Sequence, residues 1–380
     1  MLVRNAYTHD TRVEKEARTL VGAGYRVTVV ADGAAGLPER EPRAGGETVL
    51  RVARRGPRLP GLRFAVHELR LLRRLVALRP DVLHAHDSNA LLPVALAAWR
   101  LGVPFVYDAH DLWLGRPRRE RGRLSFALNQ AWYTLLERLL VARAAATITV
   151  SPPIVDHLRD RYGLAAVALV PNYPDPDPEP PPAPRDLRDL PGGERLVPDR
   201  PVVLYLGGLM GGRGLEQLVD AMALVEDAQL VLMGDGQLAG PLRERASRLG
   251  IGERVHRLGP VPPDEVVAHA ASADVGVSPI VPSCLNYRYS LPNKLFQYMA
   301  AGLPTVASDF PQVREIVIGS GCGVVADTTR PRAVADAIGA VLADPEAARA
   351  MGERGRAAVA GRYHWGVSAE RLLEVYAALG

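Results

Sequence analysis

Short apolar runs alternate with amphipathic stretches along almost the whole chain. The apolar runs are about five residues long and are bounded by glycine, proline or polar residues, which is typical of strands buried on both faces. Between them, apolar residues recur every three or four positions, which is typical of helices that cover a sheet. The alternation therefore predicts an α/β fold built from doubly wound parallel sheets.

The first half of the chain shows this alternation of strands and helices several times. Strands are predicted at 26–30, 81–85, 104–107 and 146–150, and helices at 13–23, 62–78, 89–101 and 124–144. We expect residues 1–5 to be the stub of a first strand, residues 32–48 to form a loop, and Ser151 to cap the next helix.

A proline-rich segment at 171–182 interrupts the alternation. Proline at this density excludes helix and sheet and favours an extended, stiff connector. The segment therefore predicts two domains, at 1–172 and 201–364, joined by a linker at 173–200.

A second run of strands and helices begins after this segment. Strands are predicted at 202–206, 229–233, 254–258, 274–278, 303–307 and 322–325, with a helix at 214–225 and a helical tail from 331 that breaks near Gly361 and Gly366. Ligands of doubly wound sheets bind at the carboxyl ends of the strands, so two such domains predict a ligand-binding cleft between two sheets.

The stretch from Tyr289 to Pro304 contains the signals of a short helix between two strands. Pro292 suits the first turn of a helix, and Gly302 is placed to end it. Asn293 and Lys294 then lie at the helix start, where N–H groups and a cation can meet an anion. The alternative is an ordinary strand–helix–strand element with a solvated lysine.

A glycine-rich turn at 207–214 follows the first strand of the second half. Its glycines let backbone N–H groups approach an anion, and Arg213 adds a positive charge at the helix start. The spacing matches neither the dinucleotide fingerprint nor a Walker loop, so a plain tight turn is the alternative. If the strands before Arg213 and Lys294 are neighbours, the two cations suit a diphosphate whose departing charge needs neutralising.

Histidines follow two predicted strands of the first half. His110 ends one strand, between Asp108 and Asp111, and we expect it to face the ligand, although a histidine in a polar loop is the alternative reading. His84 and His86 have a spacing that could suit a metal, but with no Cys or Glu beside them we favour structural or acceptor roles. We expect no metal site.

Composition and charge narrow the function classes. The chain has 380 residues, a net charge of +4 and two cysteines, Cys284 and Cys322. This length suits two domains, two cysteines are too few for a disulfide framework or a metal site, and no apolar run reaches a membrane span, so we expect a cytoplasmic protein.

Arginines cluster in the first half, with no recognition helix or zinc module to favour nucleic acid. We expect either a solvated surface or a peripheral attraction to anionic lipid at the inner face of a membrane, or to an anionic acceptor. The clustered arginines are Arg51, Arg54, Arg55, Arg58, Arg63, Arg70, Arg73 and Arg74, with a further run from Arg116 to Arg123.

Taken together and in order, several segments resemble the retaining nucleotide-sugar glycosyltransferases of glycosyltransferase family 4, which have the two-domain GT-B fold. The matching segments are 10–17, 23–29, 81–87, 107–111, 148–151, 170–172, 207–214, 255–261 and 291–296. Each is weak alone, and together they span almost the whole chain.

The resemblance implies roles for individual residues. It implies that the second domain holds the donor, that Arg213 and Lys294 act on its diphosphate, and that His110 lies near the transferred sugar. It assigns donor contacts to Gly207, Gly208, Gly214, Leu258, Val261, Leu291, Asn293 and Gln297, and acceptor-side positions to Asp10, Arg12, His86 and Asp111. It also implies that the last helix, 365–380, packs back on the first domain.

The chain departs from the family pattern at its paired glutamates, which are Tyr289 and Gln297 here. Gln297 can still bind ribose hydroxyls through its amide, whereas Tyr289 supplies no carboxylate. Gly208 stands where the family often has an arginine.

The resemblance implies transfer of a sugar from a nucleoside-diphosphate sugar to an acceptor hydroxyl, with retention and without a metal or other cofactor. Lipid-linked saccharides, polysaccharides and small molecules all remain open as acceptors, within polysaccharide or glycoconjugate biosynthesis. The alternatives are a non-catalytic nucleotide-sugar-binding or partner protein and a nucleotide-sugar epimerase of the same fold.

Overall fold

A computed structural model describes residues 1–8, 10–54, 56–57, 59–112, 115, 123–175 and 183–379. The chain forms two compact units, one of Met1–Asn172 with Val367–Gly380 and one of Tyr173–Gly366. Both contain a parallel sheet with helices packed on it, so the predicted doubly wound α/β class is confirmed. Among these residues we find no helix with the length and apolar content that crossing a membrane requires.

The first unit has seven described strands and five helices before its C-terminal segment. The strands are β1 (Thr28–Asp32), β2 (Arg40–Pro42), β3 (Thr48–Val52), β4 (Leu83–His86), β5 (Phe105–Ala109), β6 (Ala146–Thr149) and β7 (Ala168–Leu169). The helices are α1 (Thr11–Gly22), α2 (Pro60–Leu78), α3 (Ser88–Leu101), α4 (Arg123–Leu140) and α5 (Pro152–Tyr162).

Residues 1–3 join two groups of strands in this unit, in the orders β2-β3-β1 and β4-β5-β6-β7. Leu2 bridges Val30 on one side and Ala85 on the other, in parallel on both sides. Its N–H donates to the carbonyl of His84 at 2.8 Å, and its own carbonyl accepts from His86 at 3.1 Å. The predicted strand stub is therefore confirmed, and it occupies the middle of the sheet.

Two features of the first unit differ from the sequence expectation. The predicted loop contains β2 and leads into β3, because Val49 and Leu50 are buried beside β1 while the apolar run is too short to signal a strand. Ser151 occupies the N-cap position of α5, but its side chain makes no capping hydrogen bond. The prediction that Ser151 caps this helix through its side chain is therefore wrong.

Among its described residues, the second unit has six parallel strands and eight helices. The strands are β8 (Val202–Leu206), β9 (Gln229–Met233), β10 (Val255–Leu258), β11 (Val275–Ser278), β12 (Thr305–Ser308) and β13 (Gly323–Ala326). The helices are α6 (Leu215–Met222), α7 (Ala239–Arg248), α8 (Val266–Ala270), α9 (Leu285–Tyr289), α10 (Asn293–Ala301), α11 (Pro311–Ser320), α12 (Pro331–Leu342) and α13 (Pro345–Gly361).

The strand order of this sheet is β10-β9-β8-β11-β12-β13, so the chain direction across the sheet reverses between β8 and β11. Such a switch point opens a crevice at the carboxyl ends of the two strands. The six strands match the predicted positions within two residues, whereas α9 lies in a segment for which the sequence predicted no helix.

Tyr298 fixes α10 against the strands at this switch point. Its hydroxyl accepts the N–H of Leu206 at 2.9 Å and lies 3.1 Å from the carbonyl of Val277, so it connects β8 with β11. Gly276 makes room for the ring, because a Cβ at that position would lie 2.5 Å from it. The start of α10 is thereby held at the carboxyl end of the sheet.

Residues 183–200, part of the predicted linker, pack against the second unit. Leu187 and Leu196 are buried in its core, and the side chain of Gln229 hydrogen-bonds to the backbone of Val197 and Arg200. The most proline-rich part of the segment, 176–182, lies outside the described residues, so the extended connector stays a prediction.

The C-terminal helix, α14 (Trp365–Ala377), packs on the first unit from Val367 onward. The hydroxyl of Ser368 donates to the carbonyl of Pro171 at 2.8 Å, and the hydroxyl of Tyr376 lies 2.9 Å from Nδ1 of His84. The end of α14 therefore contacts β4, the strand that carries His84 and His86.

Candidate functional site

The two predicted phosphate-binding cations follow neighbouring strands of the second unit. Arg213 lies in the turn after β8, Lys294 lies at the start of α10 beyond β11, and β8 pairs with β11. The expectation that these strands are neighbours is therefore confirmed. Their positive charges are close enough for Arg213 to contribute to lowering the pKa of Lys294.

Lys294 is almost completely buried, with 8% of its surface exposed. Its ammonium nitrogen lies 3.7 Å from the centroid of the Tyr205 ring. The nitrogen is also close to Gly207, since a Cβ added to that glycine would lie 3.7 Å from it. Burial, and then the neighbouring Arg213, lower its pKa well below the usual value. A buried ammonium without an acidic partner among the described residues is costly, and an anion would relieve that cost.

The glycine-rich turn is shaped by contacts that only glycine permits. Gly214 has φ 71°, and a Cβ there would lie 1.7 Å from the carbonyl oxygen of Pro279. Gly212 has φ 80° and packs against the ring of Tyr287, over which the guanidinium of Arg213 lies at 5.0 Å from the centroid. These contacts place the arginine at the crevice between β8 and β11.

The other predicted donor residues differ in exposure. Gly207, Gly208 and Asn293 are exposed, and Val261, Leu291 and Gln297 are half-buried. Leu258, by contrast, is fully buried in the core, so its side chain has no surface to offer a nucleotide base. Its carbonyl accepts the N–H of Gly234, which makes it a packing residue below the loop.

In the first unit, His110 comes directly after β5 at the carboxyl edge of the sheet. Its side chain is 19% exposed, so one part of the ring reaches solvent. Nε2 lies 2.8 Å from Oδ2 of Asp108 and 3.0 Å from Nδ1 of His86. Burial alone would lower its pKa, but the Asp108 carboxylate outweighs that effect and raises the pKa to about 9. His110 is therefore a cation at neutral pH.

Asp108 is the centre of a buried ionic network. Arg12, from α1, donates to both of its carboxylate oxygens, at 3.0 and 2.9 Å. Burial would raise the pKa of Asp108, but Arg12 and then His110 hold it well below its usual range. Asp108 therefore stays ionised and fixes one side of the His110 ring.

Two predicted acceptor-side residues are buried in this network. Arg12 is 4% exposed and also donates to the carbonyl of Val170 at 2.7 Å, and His86 is 3% exposed. Neither exposes enough surface to contact an acceptor, so we assign both residues to the support of His110. Asp10 is only half-buried and caps α1 by accepting from Val13, and Asp111 is half-buried next to His110.

Sequence reasoning missed Glu16, which completes a cluster with the two histidines of β4. One ligand atom from each of Glu16, His84, His86 and Asp108 lies within 4.8 Å of the others, and all four residues are buried. The expectation that no glutamate joins His84 and His86 is therefore wrong. The sequence does contain one sign of this cluster. Arg12 and Glu16 are four residues apart, which places both side chains on one face of α1.

Two family models match the chain. The model described as Glycosyltransferase Family 4 matches residues 10–178, and the model described as Glycosyl transferases group 1 matches residues 200–344. Together they cover most of both units.

Curated relatives are glycosyltransferases. A GDP-mannose-dependent alpha-(1-6)-phosphatidylinositol monomannoside mannosyltransferase from Mycolicibacterium smegmatis is 33% identical over 47% of this chain and 48% of its own length. The chain spans about half the length of this relative and of two further mannosyltransferases. The alpha-D-kanosaminyltransferase of Streptomyces kanamyceticus is 26% identical over 84% of this chain and 82% of its own length.

Solved structures share the whole architecture. The crystal structure of Anabaena HepE in complex with UDP-glucose superposes with a TM-score of 0.75 at 17% identity, and the match covers 99% of this chain and 98% of that one. At this identity the likeness establishes the fold alone, and that fold is GT-B.

Proposed function

Since the chain belongs to glycosyltransferase family 4, we propose that it transfers a hexosyl group from a nucleoside-diphosphate sugar to an acceptor hydroxyl. The transfer retains the anomeric configuration and needs no metal. The observation that carries the proposal is the approach of Arg213 and Lys294 at the switch point of the second sheet, with no acidic partner for Lys294 among the described residues.

The second unit binds the donor in this proposal. The diphosphate lies against the exposed glycine turn at 207–214 and the start of α10, where Arg213 and Lys294 neutralise its charge. As the bond between the anomeric carbon and the phosphate oxygen breaks, negative charge grows on that oxygen, and fixed cations stabilise it. A guanidinium and an ammonium can supply the charge that a divalent ion supplies elsewhere.

The acceptor attacks from the face that the diphosphate leaves. A bond forms between the acceptor oxygen and the anomeric carbon, and the acceptor proton passes to the departing phosphate oxygen. His110 is a poor candidate for the base, because Asp108 keeps it protonated. Its remaining N–H instead donates a hydrogen bond to a hydroxyl of the transferred sugar.

The donor nucleotide is UDP or GDP in this proposal. HepE was crystallised with UDP-glucose, and the mycobacterial relative is named for GDP-mannose. Gln297, half-buried on α10, binds the ribose through its amide. The acceptor is a saccharide, a lipid-linked saccharide or a small molecule, since the named relatives include a lipid mannosyltransferase and a kanosaminyltransferase.

The first unit also carries a surface suited to a membrane, which we propose as a site of peripheral contact. Helix α4 exposes an apolar stripe, and α3, which packs on both α2 and α4, exposes Trp99 at 84%. The stripe comprises Leu128, Trp132, Leu135 and Leu139. Tryptophan and leucine beside arginines suit the interface of an anionic bilayer.

The arginines of α2, a helix that packs on α3, add positive charge to the surface of the same unit. Arg63 and Arg73 are exposed, and Arg70 and Arg74 are half-buried. Arg51 was grouped with these arginines on the basis of the sequence. It is instead buried and pairs with Glu41 at 2.6 Å, so it does not belong to this surface. Arg55, Arg58 and residues 116–122 lie outside the described part of the chain.

Turnover of a panel of UDP and GDP sugars tests the proposed function, with released nucleotide and glycosylated acceptor both measured. Arg213→Ala and Lys294→Met should each lower transfer at least about a hundredfold, in the range of other oxyanion-stabilising groups. Arg243→Ala, which removes an exposed arginine of α7, is the matched control and should be neutral. Unchanged turnover in both site variants would reject the assignment.

The same panel separates the two alternatives. Isomerisation of the donor without an acceptor identifies an epimerase. Nucleotide binding in calorimetry without transfer to any acceptor identifies a non-catalytic protein, as the loss of the paired glutamates at Tyr289 and Gln297 would allow.

Co-sedimentation with anionic and neutral vesicles tests the membrane contact. Changing Leu128 and Trp132 together to serine, or Arg70, Arg73 and Arg74 to glutamate, should abolish binding to anionic vesicles. Leu249→Ser removes an exposed leucine of the second unit and should leave it unchanged. Equal binding of all variants would show that this surface does not meet the membrane.

A further inference from the structure

We infer that Glu16, His84 and His86 form a buried site for a divalent transition-metal ion, with Zn²⁺ the best match. The site would be structural, it lies in the first unit alone, and it does not rest on the proposed transfer reaction. It draws one residue from α1 and two from β4, and Asp108 of β5 completes the group within 4.8 Å.

The first argument is a set of buried polar atoms without partners. Glu16 is fully buried, and neither of its carboxylate oxygens accepts a hydrogen bond of normal geometry, although Oε1 lies 3.0 Å from Nε of Arg12 in an ion pair. Nε2 of His84, the nitrogen that faces Glu16, also lacks a hydrogen-bond partner, whereas His86 faces Glu16 through Nδ1, which lies 3.0 Å from Nε2 of His110. Buried polar groups are nearly always paired, so the two oxygens of Glu16 and Nε2 of His84 point to a missing ligand.

Glu16, rather than Asp108, is the carboxylate that an ion could bind. Arg12 donates to both oxygens of Asp108, which also accepts from His110, so both oxygens of Asp108 are already engaged by cations. Glu16 shares only one contact with Arg12 and has its second oxygen directed at the histidines. Two imidazoles, one carboxylate and a divalent ion give a net charge of about +1, which is ordinary for such sites.

The separations are close to those of a coordinated ion. Oε2 of Glu16 lies 4.0 Å from Nε2 of His84 and 4.0 Å from Nδ1 of His86. Ligands at about 2.0–2.1 Å from a tetrahedral Zn²⁺ are about 3.3 Å apart, so each of these two distances would have to shorten by about 0.7 Å. The two imidazole rings are stacked with centroids 4.2 Å apart, so the rings would have to rotate for their nitrogens to converge on one ion.

The surroundings include the outer hydrogen bond that metal-binding histidines usually have. Nδ1 of His84 lies 2.9 Å from the hydroxyl of Tyr376, which leaves Nε2 directed at the cluster. Such an outer partner fixes the ring and its tautomer. Since Tyr376 belongs to α14, an ion here would also tie the C-terminal helix to β4.

Cobalt binding to the untagged, full-length chain tests the inference, because Co²⁺ reports its coordination by visible absorption and a histidine tag would obscure it. After dialysis against a chelator, one Co²⁺ should bind per chain at pH 7.5, with absorption bands of a four-coordinate ion. Melting temperature should rise, because the ion binds the folded state. Elemental analysis should find about one zinc per chain in protein purified without chelator.

Two variants and one control locate the ion. Glu16→Gln and His84→Gln should each abolish the cobalt bands while circular dichroism stays unchanged. His269→Gln is the matched control, since His269 is a buried histidine 3.9 Å from Glu265 in the second unit, and it should bind one Co²⁺ as before.

If the untreated and cobalt-loaded proteins both lack a bound ion at pH 7.5, a proton on Glu16 satisfies the cluster and the inference is wrong. Retention of the bands in Glu16→Gln and His84→Gln would overturn it as well. A variant that unfolds is replaced by Tyr376→Phe, which should weaken cobalt affinity about tenfold or more through the lost outer hydrogen bond.

Discussion

The ammonium nitrogen of Lys294 lies 3.7 Å from the centre of the Tyr205 ring, and Tyr205 belongs to β8, which pairs with β11. A cation over an aromatic face is stabilised by the ring quadrupole, but it lacks the hydration of free lysine. No acidic residue among those described pairs with this amine, so a bound anion would favour its protonated form.

We expect donor binding to be accompanied by proton uptake at this lysine. Burial and Arg213 lower its pKa in the free protein, and a bound diphosphate would raise it again. Calorimetric titration of UDP and GDP at pH 8 in two buffers of different ionisation enthalpy measures the protons taken up. Lys294→Met should remove the buffer dependence, and a buffer-independent enthalpy in the unaltered protein would contradict the prediction.

Gly214→Ala should destabilise the second unit and weaken donor binding. Its left-handed φ of 71° and the 1.7 Å approach of a Cβ to Pro279 both oppose any side chain, with a cost of at least about 2 kcal/mol in the free energy of unfolding. Urea denaturation and nucleotide titration measure the two effects. Gly211→Ala, in the same turn but with open space around it, should change neither.

Transfer should lose rate as the pH rises through about 9, where His110 gives up its proton. The folded-state pKa lies above the unfolded value of about 6.5, so its contribution to stability is fully present below about pH 6.5 and disappears above about pH 9. The shift corresponds to about 3 kcal/mol.

Two measurements on His110→Gln check this prediction. The difference in free energy of unfolding from the unaltered protein should be largest near pH 6 and should vanish by about pH 10. The variant should also lack the loss of transfer rate near pH 9. A pH-independent difference would show that Asp108 does not hold the proton on His110.

Arg12→Met should lower the free energy of unfolding by about 3–5 kcal/mol, because it leaves the fully buried Asp108 without its main partner. Denaturation with urea at pH 7 measures the loss. Arg314→Met removes a similar two-contact pair with Asp309, but on the exposed surface, and it should change little. Equal effects of the two substitutions would show that burial does not decide the energetics here.

Much of the architecture follows from the sequence alone. The strands of the second unit and most helices were predictable, because apolar runs between glycines and prolines encode buried strands through local periodicity. Lys294 and Arg213 were identifiable as candidate site residues because each stands at a helix start after a strand. Short strands such as β2 contain too few apolar residues to be recognised from the sequence. The break at 343–344 between α12 and α13 could not be recognised for the same reason.

Tertiary structure alone decided which of these residues meet and in what state. Arg12 and Asp108 are 96 positions apart in the chain, and Glu16 meets His84 across two elements, so no local pattern reveals the pairing. Burial then changes the chemistry, since the same side chains in water would keep their ordinary pKa values. The sequence determined the two sheets and the residues at their edges. The fold determined that His110 is a cation, that Lys294 is buried, and that Glu16 lies beside two histidines.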